Sequence, residues 1–396
     1  MKKRTKILLI IIIVFSLSLG VLFFAYQHYL KDTFDFPMGM GVDGKGGGGL
    51  FPTSGTSSGD ARDTLDAPAD EDVYIPTLRQ ISRVPSVRGI ILTEETETRI
   101  RYIERATGHI YEVGANSLQE ERLSNTTIPR IQEVVWSPEG DAVILRYLDE
   151  NETLRSFYGE IIKEDNELDG WFLTNNIIGL SVHPDGDLFY LQQTSQQVDG
   201  FLSNFDGTNS RLLFSSTVYD WTPHWFGDDI TLTSKASRSV VGHTYRLRSG
   251  SLTEIISGEG LVATPNQKGT TLLISKSGDA GTELAIYNTR TEDLSILPFR
   301  TLAEKCAWAN DTKLYCGSPY SLDRSASYPD DWYKGIVSFS DDIWVFDTET
   351  SRAQLIYDAE EAGYDLDVIN ISVDPEEQLL IFTNKKDSTL WALSLK

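Results

Sequence analysis

An all-β protein is what this sequence predicts, and two observations carry the prediction. A short apolar run, a turn-forming cluster and a second apolar run recur: "VVWSPEGDAVILRY" from Val134, "LSVHPDGDLFYLQQ" from Leu180, "CAWANDTKLYCGSP" from Cys306 and "ISVDPEEQLLIFTN" from Ile371. Beyond Asp70 the apolar residues fall in short runs bounded by Gly, Pro, Asn and Asp, with few stretches of helical period. Spacing narrows the class. The turn centres Pro138, Pro184, Trp225, Pro265, Asn310 and Pro375 lie 46, 41, 40, 45 and 65 residues apart. A period of roughly 40 to 45 residues with paired strands in each unit is that of β-propeller blades.

The elements follow from this reading. Pro-Glu-Gly-Asp at 138–141 is the hairpin between two inner strands of a blade. Gly140 supplies the positive φ such a turn needs, and Pro138, which cannot donate to a ladder, sits at the strand end. Trp136 and its counterparts are expected to pack between blades, and His183, in the slot of Ser137, is a turn residue. A second motif, "YIERATG" from Tyr102, "IYNTRTE" from Ile286 and "VFDTETS" from Val345, aligns on Thr107, Thr291 and Thr350 and is expected to form outer hairpins of three blades. One further blade over Ile90 to Val113 brings the total to seven, with six or eight left open by repeat divergence. The final repeat, Ile371 to Leu395, holds three strands, and a strand near Ile81 to Pro85 is expected to complete it and close the ring.

These repeats resemble the WSPDG-type repeat of TolB-like, WD40-like β-propellers over roughly residues 85 to 396. The resemblance implies the fold and leaves the function open. The last third, notably "YPDDWYKGIVSFSDDIWVFD" and "TNKKDSTLWALSL", is also similar to membrane-anchored bacterial propeller proteins. TolB itself carries an N-terminal α/β domain, where this sequence has an apolar segment and a linker, so its partners are not implied.

The N-terminal part reads differently. "MKKRTK" precedes twenty uncharged residues, Ile7 to Tyr26. That length matches a bilayer core, and Lys2, Lys3, Arg4 and Lys6 are expected to keep the start cytoplasmic and place the rest outside. A cleaved signal peptide is the rival, disfavoured by the length of the run and the lack of an A-x-A-like site. The expected division is residues 1–30 as basic start and transmembrane anchor, 31–78 as a Gly/Ser/Asp-rich linker and 79–396 as the propeller. As a flexible coil, the linker spans roughly 35 to 40 Å. "GKGGGG" from Gly44 is no phosphate loop, since neither a preceding strand nor a Lys-Ser/Thr pair accompanies it.

Composition restricts partners more than it names them. A formal net charge of −23 argues against nucleic acid, which requires a basic surplus. The G-x-S-x-G match, "GTSSG" from Gly55, lies in the Gly/Ser/Asp-rich linker with no strand run before it and is no nucleophile elbow, no hydrolase domain is expected beyond the final strands, and the five histidines lack metal-ligand spacing. Hence no catalytic residue, metal or cofactor is expected. The acidic pairs Asp228-Asp229, Asp330-Asp331 and Asp341-Asp342 read as turn and loop residues. Cys306 and Cys316 stand five residues either side of Asp311, opposite one another in a hairpin, and an oxidising compartment favours a disulfide there. Closing that loop is worth roughly 2.5 to 3 kcal/mol.

The long gap before Pro375 points to an insertion, Gly317 to Ser338. Its aromatics and mixed charge suit a contact surface. Tyr320, Arg324, Tyr328, Asp330, Asp331, Trp332 and Tyr333 are the candidate binding residues, with Trp332 and Tyr333 as anchors and the aspartates favouring a cationic or hydrogen-bonding partner. The alternative is an ordered loop whose aromatics plug the channel. The resulting expectation is a single-pass membrane protein displaying a propeller that binds an envelope protein or surface ligand. A hydrolase or lyase of envelope glycans, with carboxylates lining the channel, is the rival reading.

Overall fold

The computed structural model describes residues 77–94, 97–278 and 281–395. The apolar run at 7–26 and the Gly-rich stretch lie outside the described residues. Within the described residues no helix is long and apolar enough to cross a membrane.

Seven four-stranded antiparallel sheets form the β-propeller. Blade 1 is β2 (Ser86–Thr93), β3 (Thr98–Glu104), β4 (Ile110–Gly114) and β5 (Glu120–Arg122). Blade 2 is β6 (Ile131–Trp136), β7 (Ala142–Leu148), β8 (Leu154–Ile162) and β9 (Glu167–Phe172). Blade 3 is β10 (Ile177–Val182), β11 (Asp187–Gln193), β12 (Val198–Asn204) and β13 (Arg211–Ser216). Blade 4 is β14 (Trp221–Phe226), β15 (Asp229–Ser234), β16 (Val241–Arg248) and β17 (Ser251–Glu259). Blade 5 is β18 (Val262–Pro265), β19 (Thr271–Gly278), β20 (Gly281–Asn288) and β21 (Leu294–Ile296). Blade 6 is β22 (Cys306–Trp308), β23 (Lys313–Pro319), β24 (Asp341–Asp347) and β25 (Arg352–Tyr357). Blade 7 is β26 (Val368–Val373), β27 (Leu379–Asn384) and β28 (Thr389–Ser394), completed by β1 (Leu78–Gln80).

The closing strand is therefore Leu78–Gln80, paired Leu78 to Leu393 and Gln80 to Trp391, and not the expected Ile81 to Pro85. The reason is local. Ile81 and Ser82 both donate their N–H to the single carbonyl of Leu390, at 2.7 and 3.2 Å, which ends the ladder and turns the chain toward β2. Two other expectations shift. Trp225 lies inside β14, the turn following at Gly227-Asp228. "YIERATG" joins the second and third strands of blade 1, whereas its two counterparts join third and fourth. Thr-containing turn chemistry caps a hairpin without specifying which pair of strands it connects.

The repeat hairpin forms as its residues dictate. Gly140 has φ +70°, its N–H reaches Ser137 O at 3.0 Å, and Ser137 Oγ donates to Asp141 Oδ1 at 2.7 Å. Neighbouring blades share one hydrophobic cluster at each of the seven interfaces. Each sheet thus buries both faces, which explains why the second strands are continuous apolar runs such as Ala142 to Leu145 without alternation. Trp136 is buried at the interface of blades 1 and 2 and donates its Nε1–H to Arg88 O at 2.9 Å.

Candidate functional site

The insertion leaves blade 6 after Pro319, carries the short helix α1 (Asp330–Tyr333) and returns at Asp341. Three other blades hold it. From blade 4, Ser237 Oγ donates to Asp330 Oδ1 at 2.9 Å and Arg238 N–H to Asp330 Oδ2 at 2.7 Å. From blade 5, Ser277 Oγ donates to Tyr328 O at 2.7 Å. Next to blade 7, Lys385 Nζ donates to Trp332 O at 2.5 Å, and Asp367 accepts the Trp332 Nε1–H at 2.9 Å. Beneath lies an eighth cluster of Leu302, Ala326, Tyr328, Trp332 and Phe339.

Lys305 anchors this arrangement from below. Its ammonium is fully buried, 2.7 Å from Asp341 Oδ2, bonded to Asp367 Oδ1 and 3.0 Å from Val368 O, with the Phe339 ring 4.8 Å away. Burial and then the neighbouring Asp367 push the Asp341 carboxyl up to about 6, against the pull of Lys305. Asp341 was expected as a loop carboxylate. It is instead one of two buried anions sharing a single cation.

The candidate binding residues separate into three groups. Tyr328 and Trp332, only 1% and 4% exposed, belong to the inner cluster, so the expectation of Trp332 as a surface anchor is corrected: its ring is covered by Phe339 and Lys385. Asp330 and Asp331 are engaged internally, Asp331 Oδ2 accepting from Ser327 N at 2.7 Å. Burial opposes ionisation of Asp330, but the bonds from Arg238 and Ser237 hold its carboxyl below the ordinary range. Tyr320, Arg324 and Tyr333 are exposed. Tyr320 and Arg324 share a groove of about 570 Å³ with Phe299, Arg300, Leu322, Asp342 and Trp344, while Tyr333 turns toward Glu304. Cys306 and Cys316 pair directly across β22 and β23 and are joined by a disulfide.

Sequence reading expected an axial channel but did not find the residues that line it. Its larger cavity, about 870 Å³, is lined by the innermost strands of blades 1 to 4 and by blade 7, and a second of about 650 Å³ extends it along blades 5 and 6. The inner strands of blades 1, 2, 3 and 7 carry register shifts at Val87/Ile90, Ile131/Glu133, Ile177/Gly179 and Ile369/Ser372. Such bulges re-aim side chains, and Arg88, Gln132 and Asn370 at three of them line the cavity. His224 also lines it; burial and then Arg88 bring its imidazole down to about 4. Burial raises the Glu304 carboxyl, although Tyr333, Lys305 and Lys385 act in the opposite sense. Among the described residues no three His, Cys, Asp or Glu side chains are grouped to hold a metal ion.

Comparison with known proteins supports the fold. The chain is similar to an oligogalacturonate lyase from Vibrio parahaemolyticus, with TM-score 0.53 and 10% identity over 80% of this chain and 93% of that one. It is similar also to the propeller domain of the Trilobed protease from Pyrococcus furiosus, with TM-score 0.52 and 11% identity over 79% and 98%. That propeller has an open velcro topology. Here β1 closes the ring. TolB from Acinetobacter baumannii matches at TM-score 0.44 and 13% identity over 64% of this chain and 62% of TolB. No family model matches the sequence, and no curated relative is found.

Asp341 and His224 make opposite demands on pH. The folded carboxyl at about 6 lies above its unfolded value, so its stabilisation is complete below about pH 4 and lost as pH rises through 6. The folded imidazole at about 4 lies below its unfolded value, so its stabilisation is present above about pH 6.5 and lost as pH falls through 4. The two offset one another across the same window. Relative to wild type, Asp341→Asn should therefore lose more stability on acidification from pH 6.5 to 4, and His224→Gln less. Urea midpoints at four pH values check this, and parallel curves for all three proteins would refute it.

Proposed function

We propose that the chain is a membrane-anchored, extracytoplasmic β-propeller that binds a protein of the cell envelope through the blade-6 insertion. One observation carries the binding role: the insertion is fixed to other blades by Asp330, Tyr328 and Trp332, and in that position it presents Tyr320 and Arg324 in an open groove. A rigidly supported rim with an aromatic and a guanidinium suits a partner segment offering an acidic group beside an apolar side chain. This replaces the cationic partner expected from the sequence, because Asp330 and Asp331 serve the insertion's own backbone and its neighbours. Anchoring by residues 7–26, with the start cytoplasmic, is supported by the basic residues before the uncharged run, and the opposed cysteines suit an oxidising compartment.

A photo-crosslinking residue at Tyr320 in native membranes should capture a discrete envelope protein, and Arg324→Glu should reduce its yield at least about tenfold, the loss of one charge-assisted contact. The urea midpoint should not move. Equal capture from a position on the outer strand of blade 5, such as Ile296, would defeat the proposal. The rival glycan-cleaving reading draws on Glu304, whose raised carboxyl faces the channel. It requires cleavage of an envelope glycan that Glu304→Gln abolishes.

A further inference from the structure

We infer that the axial channel is a binding site for a small oxyanion, a ligand bearing carboxylate or phosphate groups, whose charge is taken by Arg88 and Arg105. This site is separate from the rim groove and does not depend on the partner proposed for it.

The Arg88 side chain lines the channel and is exposed there, and its guanidinium makes no hydrogen bond or ion pair with any described residue. Glu133 does not neutralise it, because that carboxylate is bonded to Arg146. Arg105 lines the same cavity, and its Nε is buried without a partner. Two arginines in one cavity therefore have donors to spare, in a protein whose overall charge is −23.

Both are held in place by backbone contacts, as a built site requires. Arg88 sits at the bulge of β2, where Trp136 Nε1 fixes its carbonyl. Arg105 N–H donates to Pro85 O at 2.9 Å and its carbonyl accepts from Ile131 N at 3.0 Å, which clamps it between blades 1 and 2. Glu133 and Lys385 also line the cavity, and each is engaged elsewhere, Glu133 with Arg146 and Lys385 with the Trp332 carbonyl. His224 carries no charge at neutral pH and has an unpartnered buried Nδ1, while Gln132 and Asn370 offer further donors. The cavity of about 870 Å³ accepts a ligand the size of a small metabolite, beyond a single inorganic ion. Guanidinium forks match the planar, paired oxygens of carboxylate and phosphate, so the class of ligand follows from the donor geometry.

Calorimetric titration of the full chain in detergent with inorganic phosphate and with citrate tests this. At least one probe should bind saturably and raise the melting temperature, and the stronger of the two identifies phosphoryl or carboxylate chemistry. Arg88→Met and Arg105→Met should each weaken that binding at least tenfold, whereas Arg324→Glu in the rim groove should leave it unchanged. A second readout needs no ligand: Arg88→Met should leave the urea midpoint unchanged, since the exposed guanidinium makes no bond within the protein. The inference is overturned if neither probe binds more tightly than about 1 mM, if Arg88→Met binds as well as wild type, or if that substitution lowers the midpoint.

Discussion

Replacing Lys305 with Met should lower the unfolding free energy by about 3 to 5 kcal/mol at pH 7. The substitution keeps the apolar stem and removes the cation shared by Asp341 and Asp367. Two carboxylates would then face each other in a fully buried site, and Asp341 Oδ1 already lacks a hydrogen-bond partner. The cost should shrink at pH 5, because Asp341, held near 6 even with Lys305 present, takes up a proton once the cation is gone. A second substitution, Asp341→Asn, should recover at least about 1 kcal/mol of the loss, since residues in one charge network couple. Urea denaturation of the single and double variants at both pH values measures all three quantities. A loss that is equal at pH 5 and 7 would show that the triad does not titrate as described.

The propeller was legible in the sequence because its hairpins obey local rules. Ser137 to Asp141 contains every group its turn uses, including the glycine at φ +70° and the Ser-Asp bond. The same holds at Gly186, whose N–H returns to His183 O, so the period could be counted turn by turn. The bulges were not legible. A bulge is a mismatch of register between two strands, and nothing in "SVRGII" distinguishes a bulge at Arg88 from a continuous strand. The channel's charged lining is therefore visible only once seven inner strands are placed together.

Lys305 escaped notice for a related reason. Its partners Asp341 and Asp367 lie 36 and 62 residues further along the chain, one at the end of the insertion and one before blade 7, and no sequence spacing links the three. The insertion was recognised by its length, and its composition admitted two readings, since aromatics and acids serve a plug as well as a contact surface. The structure divides the segment between them. Residues 326 to 332 mostly face inward and are bonded to neighbouring blades, while Tyr320 and Arg324 remain on the rim.

That division makes Trp332 a decisive position. Trp332→Ala should destabilise the protein by about 3 to 5 kcal/mol, the range for truncating a large buried aromatic. Its indole fills the cluster beneath the insertion, stacks on Phe339 with centroids 5.8 Å apart, and donates Nε1–H to Asp367. Removal opens a cavity and also takes a donor from a buried carboxylate. Trp332→Phe separates the two effects: the ring volume largely remains, Asp367 keeps the N–H of Phe339 at 3.1 Å, and the loss should be about 1 to 3 kcal/mol. Tyr320→Ala, at a residue 55% exposed on the same insertion, should change stability by less than about 0.5 kcal/mol. Should Trp332→Ala prove as mild as Tyr320→Ala, the indole is no part of the core, and the insertion presents it outward as a contact residue after all.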